Sequence, residues 1–298
     1  MDYWFIILLA IIAVAAIAIL LFFELMGDDA IKMMRMKHER GKYINDQTAV
    51  IYQTIKDTPD SAKSYSLFVE YIFTNNRLFI EYVKAILTRT SQTYTSGNLE
   101  GLEKCISEAK DMKTELKDQK AAQMDCMATI DQPDYIESSA WINLSNNCRF
   151  SVNDGLLHLS EVCIYYANNY SEPFPEIYNE QLEFLVGDIC NICDTCLSLI
   201  GTRDITGMRE LRKRMSIMLD ESYAHTQRLY ELIHDGRNIL EPERRIALKY
   251  CLNAFQELHT MIYTLRRFFL ANLCITLSIM TLDTRKSSNP YPPSPIKN

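Results

Sequence analysis

The sequence predicts an all-α protein in which one N-terminal transmembrane helix precedes two tandem three-helix bundles. Glycine and proline are scarce, with nine of each in 298 residues, whereas average proteins contain roughly 7% and 5%. The prolines fall between segments of helical periodicity, and a single uninterrupted apolar run opens the chain. Long helices separated by short breaks follow from this distribution.

The first element is the apolar run Tyr3–Phe23, whose 21 residues carry no charge. A helix of this length crosses the roughly 30 Å hydrocarbon layer of a bilayer. A cleaved signal peptide is the alternative, but Met1 and Asp2 supply no positive charge and the run is longer than the usual apolar core of such peptides. Residues 1–26 are therefore predicted to be a membrane anchor. The basic residues that follow it predict a cytoplasmic location for the rest of the chain: Lys32, Arg35, Lys37, Arg40 and Lys42.

Prolines and capping residues divide the remainder of the chain into seven predicted helices. These helices span residues 42–57, 62–95, 98–129, 134–169, 177–200, 204–235 and 242–283. Short connections between three successive helices are typical of a bundle. The predicted organisation is a juxtamembrane basic segment and helical linker at 27–61, a first bundle at 62–172, a second bundle at 173–283 and a disordered Pro-rich tail at 284–298.

The middle helices of the two predicted bundles have similar sequences. Each follows a capping residue, Asn98 in the first bundle and Asp204 in the second. When these two positions are aligned without gaps, Gly101 falls on Gly207, and apolar residues at helical spacing also coincide: Leu99, Leu102, Cys105, Ala109 and Met112 with Ile205, Met208, Leu211, Met215 and Met218. A duplication explains the match, although any two amphipathic helices can be brought into register by chance.

Four acidic residues form one strip along the predicted helix 98–129, at spacings of three, four and three: Glu108, Asp111, Glu115 and Asp118. Carboxylate oxygens suit a divalent cation, so these residues are candidate metal ligands. Apart from a divalent metal at this strip, no cofactor is predicted. A helical wheel places the strip away from the apolar stripe, so a solvated acidic face explains the same pattern. The sequence leaves both interpretations open and identifies no metal.

Other patterns point away from catalysis. Cys190, Cys193 and Cys196 begin like an iron–sulfur motif, but the fourth cysteine is missing and an apolar helix stripe also explains their spacing. The sequence contains no glycine-rich nucleotide-binding loop and no recognisable nucleophile motif. The chain is therefore predicted not to be an enzyme, with no catalytic and no cofactor-binding residue. A net charge of -7 also argues against nucleic acid as a partner.

Three stretches resemble a known family: residues 94–120, 131–173 and 179–185. Their order of a charged helix, a helix end with paired asparagines (Asn168 and Asn169) and a Glu-Gln-x-x-x-Leu helix is similar to the C-terminal region of inorganic phosphate transporters of Bacteroides-type bacteria. In that family a membrane domain is followed by a cytosolic helical domain of the PhoU type. The chain departs from the family pattern at Tyr165, Ala167 and Tyr170, where the family has histidine, aspartate and histidine.

The resemblance implies a protein that regulates inorganic phosphate transport at the bacterial inner (cytoplasmic) membrane, as a single-pass protein. One spanning helix cannot enclose a path for a phosphate ion, because every charge would face lipid. The expected partners are therefore membrane lipid and the membrane-domain half of a phosphate transporter or another membrane complex, with a homodimer as a further option. The alternative is a membrane-tethered helical signalling or structural protein unrelated to phosphate.

Overall fold

A computed structural model describes residues 46–58, 61–129, 134–170, 174–202, 204–235 and 242–287 of the chain. All regular secondary structure in these residues is helical, which confirms the predicted all-α class. The helices are α1 (Asp46–Asp57), α2 (Ser61–Thr95), α3 (Leu99–Thr129), α4 (Asp134–Asn169), α5 (Glu176–Thr202), α6 (Ile205–Asp235) and α7 (Pro242–Ser287).

The helices from α2 onward each begin within one residue of the predicted start. Proline at the first position of α7 explains one of these starts, because the missing N–H of Pro242 is not needed there. Residues 284–287, which were assigned to the Pro-rich tail, instead continue α7. The remainder of the tail and the predicted anchor Tyr3–Phe23 lie outside the described residues. Within the described ranges, no helix combines the length and the apolar character that a bilayer crossing requires.

The chain divides into two compact units, Met1–Ile51 and Tyr52–Asn298. In the second unit, helices α2, α3 and α4 each contact the other two. Helices α5, α6 and α7 make the same three pairwise contacts. Two interfaces join these sets: the first helices pair as α2 with α5, and the third helices pair as α4 with α7, which is the most extensive helix pair described. Each set thus contacts its counterpart through equivalent helices.

The turn between α2 and α3 has a defined hydrogen-bond pattern. The backbone N–H of Asn98 donates to the carbonyl of Thr93 at 2.8 Å, and the Asn98 side-chain oxygen accepts a bond from the N–H of Gly101 at 2.9 Å. Gly97 provides the left-handed backbone conformation that ends α2, with φ at 68°. Asn98 is therefore the N-cap that the sequence predicts.

The turn between α5 and α6 repeats this pattern 106 residues later in the numbering (98 to 204). The N–H of Asp204 donates to the carbonyl of Leu199 at 3.3 Å, and the Asp204 carboxylate accepts a bond from the N–H of Gly207 at 3.0 Å. A Cβ atom at Gly207 would clash with the Leu199 side chain and approach Asp204. A Cβ atom at Gly101 would meet Thr93 and Asn98 in the corresponding way. Both turns therefore place glycine where a helix start packs against the preceding helix end.

The same 106-residue offset relates buried positions in all three helix pairs. Equivalent residues that are both buried include Ile86 and Ile192, Leu102 and Met208, Ala109 and Met215, Leu156 and Ile262, and Leu159 and Leu265. Because no gap is needed from α2 to α7, the correspondence extends well beyond the single helix pair compared in the sequence. Chance register between two amphipathic helices does not produce matching burial over three of them.

Contacts between the two sets follow a pseudo-twofold relation. Lys84 pairs with Asp194, with 2.6 Å between Nζ and Oδ1, and the Thr88 hydroxyl lies 3.4 Å from the Cys190 sulfur. The offset takes Lys84 to Cys190 and Thr88 to Asp194. Exchanging the two sets therefore converts one contact into the other, as a twofold axis between α2 and α5 requires.

In the α4–α7 interface, Gly155 lies against Met261, the residue to which it corresponds in the second set of helices. A Cβ atom on Gly155 would lie 2.7 Å from Cγ of Met261, and Met261 is the residue 106 positions later. Both Gly155 and Met261 are buried. The pseudo-twofold axis consequently passes close to this pair, where glycine lets the two helices pack tightly.

Candidate functional site

The four acidic residues of the α3 strip differ in exposure and in their partners. Glu108 forms an ion pair with Arg89, with 2.6 Å between Nη1 and Oε1, whereas Asp111 and Asp118 are exposed. Glu115 is half-buried and accepts a 2.8 Å hydrogen bond from the side chain of Gln119. The expectation that the strip faces away from the core holds for Asp111 and Asp118. It is wrong for Glu115, because α3 packs against both α2 and α4 and buries the flanks of its apolar stripe.

The candidate metal ligands are not assembled into a site. Among the described residues, no group of three or more His, Cys, Asp or Glu side chains is placed to hold a metal ion. The absence includes the α3 strip and the three cysteines of α5. Cys193 and Cys196 are buried thiols, and burial raises the pKa of Cys193 to about 12. These thiols pack as apolar core residues.

The most unusual group in the described core is Arg149 of α4, which is 2% exposed. Its two terminal nitrogens donate to the side-chain oxygens of Gln119 and Asn146. The guanidinium carbon lies 5.4 Å from the centroid of the Phe79 ring, in a cation–π contact. Burial lowers the pKa of Arg149 to about 10, since desolvation disfavours the charged form.

Amide side chains extend the hydrogen bonds on both sides of Arg149. Gln119 connects it to the Glu115 carboxylate, and Asn146 donates to the side-chain oxygen of Gln123 at 2.5 Å. We call these residues, Glu115, Gln119, Gln123, Asn146 and Arg149, the Arg149 cluster. Within the described part of the chain, the Arg149 Nε and the Gln123 Nε2 have no hydrogen-bond partner. Both orphaned atoms are donors, and one of them carries part of a positive charge.

Glu115 is the carboxylate that interacts electrostatically with Arg149. Burial raises the pKa of Glu115, while the hydrogen bond from Gln119 and the charge of Arg149 act in the opposite direction. The two charged groups are linked through the Gln119 amide, and no direct ion pair between them is found in the described residues. A buried cation without a contacting anion is costly, so the Arg149 cluster is incompletely neutralised.

A second polar group lies one helical turn along α4. Asn153 accepts a 2.9 Å hydrogen bond from the Tyr82 hydroxyl and donates to the backbone carbonyl of Ala109 at 2.9 Å. Burial raises the pKa of Tyr82. This trio ties α2, α3 and α4 together with satisfied hydrogen bonds, in contrast to the Arg149 cluster.

The second set of helices has no counterpart of the Arg149 cluster. At the offset of 106 residues, Phe255 stands for Arg149, and its side chain is fully buried. The other cluster positions are occupied in the second set by Glu221, His225, Leu229 and Leu252. The equivalents of Gln123, Asn146 and Arg149 are apolar, so the same architecture accepts an apolar residue where the first set buries an arginine. Arg149 was not predicted from the sequence, although extending the ungapped alignment from α3 into α4 would have aligned Arg149 with Phe255.

Comparison with known proteins adds no assignment, since no family model, no curated protein and no solved structure matches this chain. The described residues include a buried, positively charged and incompletely satisfied cluster in the first set of helices.

Proposed function

We propose that this chain regulates inorganic phosphate transport as a membrane-tethered protein whose helical part has the PhoU-like arrangement of two three-helix bundles. The observation that carries the proposal is the repeated set of three helices, with matching capped turns at Asn98 and Asp204. The equivalent pairing of α2 with α5 and α4 with α7 agrees with two bundles of common origin. The step from this arrangement to phosphate rests on the resemblance of residues 94–120, 131–173 and 179–185 to the transporter family.

In this proposal the apolar run Tyr3–Phe23 anchors the chain in the inner membrane, and the helical part lies on the cytoplasmic side. The chain does not transport phosphate by itself, because one spanning helix cannot form a polar pathway. It acts on a separate membrane-domain partner. Regulation requires that the helical part contact two states of that partner with different affinity, since only a difference in binding free energy shifts an equilibrium.

Deleting the gene for this chain in its own cell tests the proposal. We expect altered uptake of radiolabelled phosphate, altered phosphate-responsive transcription, or both. Re-expression of the complete chain should restore the parental values. Re-expression from Met26 onward, without the apolar run, should fail to restore them, because the helical part would no longer be held beside its partner. Unchanged uptake together with unchanged transcription in the deletion strain would contradict the proposal and favour a signalling or structural role unrelated to phosphate.

A further inference from the structure

Basic residues gather where the first half of α6 lies beside the second half of α7. The Ser222 hydroxyl lies 2.8 Å from Nδ1 of His259. Burial raises the pKa of the Cys274 thiol, and the charge of Arg212 opposes this rise, so an earlier residue of α6 lies near a later residue of α7. The two helices are therefore antiparallel. We call the cations that this packing brings together the basic face: Arg209, Arg212 and Lys213 of α6, with Arg266 and Arg267 of α7.

The basic face contains little compensating negative charge. Among the described residues its four arginines form no ion pair, and Lys213 pairs with Glu210 at 2.7 Å. Glu210 is the single acidic residue in the first half of α6, and α7 has none between Glu257 and Asp283. The two arginines of α2, by contrast, each pair with a glutamate. Uncompensated positive charge of this kind attracts an anionic partner.

The equivalent positions of the first set carry no positive charge. The offset of 106 residues aligns the basic face with Glu103, Ile106, Ser107, Ser160 and Glu161. The same architecture therefore accepts acidic and neutral residues at these positions. The positive charge is a property of the second set of helices alone, as expected if it serves a contact with another molecule.

We propose that the basic face docks on the surface of an anionic phospholipid bilayer, with its cations beside the lipid phosphates. The inference rests on the membrane anchor of the proposed function and goes beyond it, because it gives the helical part a lipid contact of its own. Each Lys or Arg beside an anionic leaflet strengthens binding roughly fivefold. The anchor raises the effective concentration of the bilayer at the face, so a small number of cations is sufficient.

Exposed apolar side chains border the basic face. Tyr263 is 46% exposed, and the guanidinium carbon of Arg267 lies 5.8 Å from the centroid of its ring. Ile217, one turn after Lys213 on α6, is 60% exposed. Tyrosine and aliphatic side chains beside cations suit the boundary between lipid headgroups and acyl chains, because the apolar atoms can enter the acyl layer while the charges stay at the headgroups.

Two other partners fit the basic face less well. The net charge of -7 of the complete chain disfavours nucleic acid. A second copy of the chain would have to present an acidic face, but the equivalent side of the first set combines Glu103 and Glu161 with Lys110. A bilayer with acidic lipids, in contrast, presents negative charge without interruption.

Covalent labelling of arginines in the complete chain measures the contact. The chain is incorporated at one copy per disc into lipid nanodiscs of phosphatidylcholine, with or without phosphatidylglycerol, and phenylglyoxal adducts are quantified by mass spectrometry. Labelling of Arg209 and Arg267 should be at least about threefold slower in the anionic discs. Arg228 and Arg244, which are exposed outside the basic face, should react equally in both. Salt at about 1 M should abolish the difference, because it shortens the Debye length to about 3 Å.

Charge reversal identifies the residues responsible. Arg209→Glu combined with Arg267→Glu introduces the glutamates found at the equivalent positions 103 and 161, and the slower labelling of Arg212 in anionic discs should be lost. Arg228→Glu combined with Arg244→Glu is the matched control, since it changes the net charge equally and should keep this effect. Circular dichroism establishes folding. If the reversal variant does not fold, Arg209→Gln combined with Lys213→Gln carries the test, because both side chains are exposed.

Equal labelling of the basic face in neutral and anionic discs would overturn the inference and favour an acidic protein partner. Slower labelling that requires two copies per disc would assign the face to a second copy instead. Failure of the chain to enter discs would overturn both this inference and the anchor of the proposed function. Lipid-dependent labelling together with unaltered phosphate uptake and transcription in the deletion strain would support the docking and refute the regulatory role alone.

Discussion

Glycine is required at position 97 by the backbone conformation rather than by lack of space. Its φ of 68° lies in the left-handed region, while a Cβ atom at this position would meet nothing within 4 Å. Gly97→Ala therefore introduces backbone strain without a steric clash, and we expect it to lower the free energy of unfolding by about 1 kcal/mol. Urea unfolding of the complete chain measures the change. Gly97→Asn should cost less, because asparagine tolerates this conformation better than alanine does.

His259 gives the second prediction at this scale. The Ser222 hydroxyl lies 2.8 Å from its Nδ1, and burial lowers the pKa of His259 below its usual 6.5. The unfolded chain therefore binds more protons below about pH 6.5, so stability falls as the pH is lowered through this value. His259→Asn introduces the residue found at the equivalent position 153 and should reduce this loss. The unfolding free energy of each chain is measured at pH 8 and at pH 5. The loss between the two pH values should be smaller in the variant than in the parent chain. An equal loss in both chains would contradict it.

Residues differ in how far the sequence determines them. The caps Asn98 and Asp204 could be predicted, because an N-cap depends on side-chain chemistry close to the helix start. The surroundings of Arg149 could not, because its partners come from α3 and α2 as well as from α4. An arginine in a helical sequence is ordinarily solvated. Long-range packing, rather than local pattern, buries this one.

The helix pair α4–α7 provides a test of packing between elements. Gly155→Ala places a Cβ atom 2.7 Å from Cγ of Met261, and such overpacking costs about 1–3 kcal/mol. Gly187→Ala is the matched control, since a Cβ atom there meets nothing within 4 Å. The control should be neutral or stabilising by up to about 1 kcal/mol, because alanine is the better helix former.

A double-mutant cycle separates the local clash from other effects. Met261→Ala creates space opposite Gly155, so the double variant should be more stable than the sum of the two single changes predicts. Urea unfolding of the four chains gives the coupling free energy. If Gly155→Ala were as harmless as Gly187→Ala, the close approach at the pseudo-twofold axis would be disproved.

Helix boundaries could be predicted best, because proline, glycine and capping residues start or end a helix within a few positions of themselves. Helix α7 shows one boundary that was predicted correctly, its start at Pro242, and one that was not, its end at Ser287. The start follows from proline chemistry. The end was predicted at 283, since no proline or glycine occurs between 283 and 288 to mark the true position. The pairing of α2 with α5 was not predicted at all, as helix periodicity identifies an apolar face without identifying its partner.

For the whole molecule, the orientation of the chain across the membrane is the prediction to test. Protease added outside intact spheroplasts should leave the chain from Asp46 onward uncleaved, because the proposed orientation keeps it inside. Immunoblotting with antibody against the α2–α4 region measures the protected length. Lysis of the spheroplasts before digestion is the control and should allow cleavage. Loss of the helical part in intact spheroplasts would contradict the orientation on which the proposed function depends.

The pseudo-twofold relation also has a historical consequence. A gene encoding one set of three helices would have produced a polypeptide that associates with its own copy, since the α2–α5 and α4–α7 contacts would then join identical surfaces. Fusion of two such genes makes the association permanent and releases the copies from having to remain alike. One copy could acquire an arginine in its interior while the other retained phenylalanine at position 255. Specialisation of a single copy is a freedom that an assembly of identical subunits does not possess.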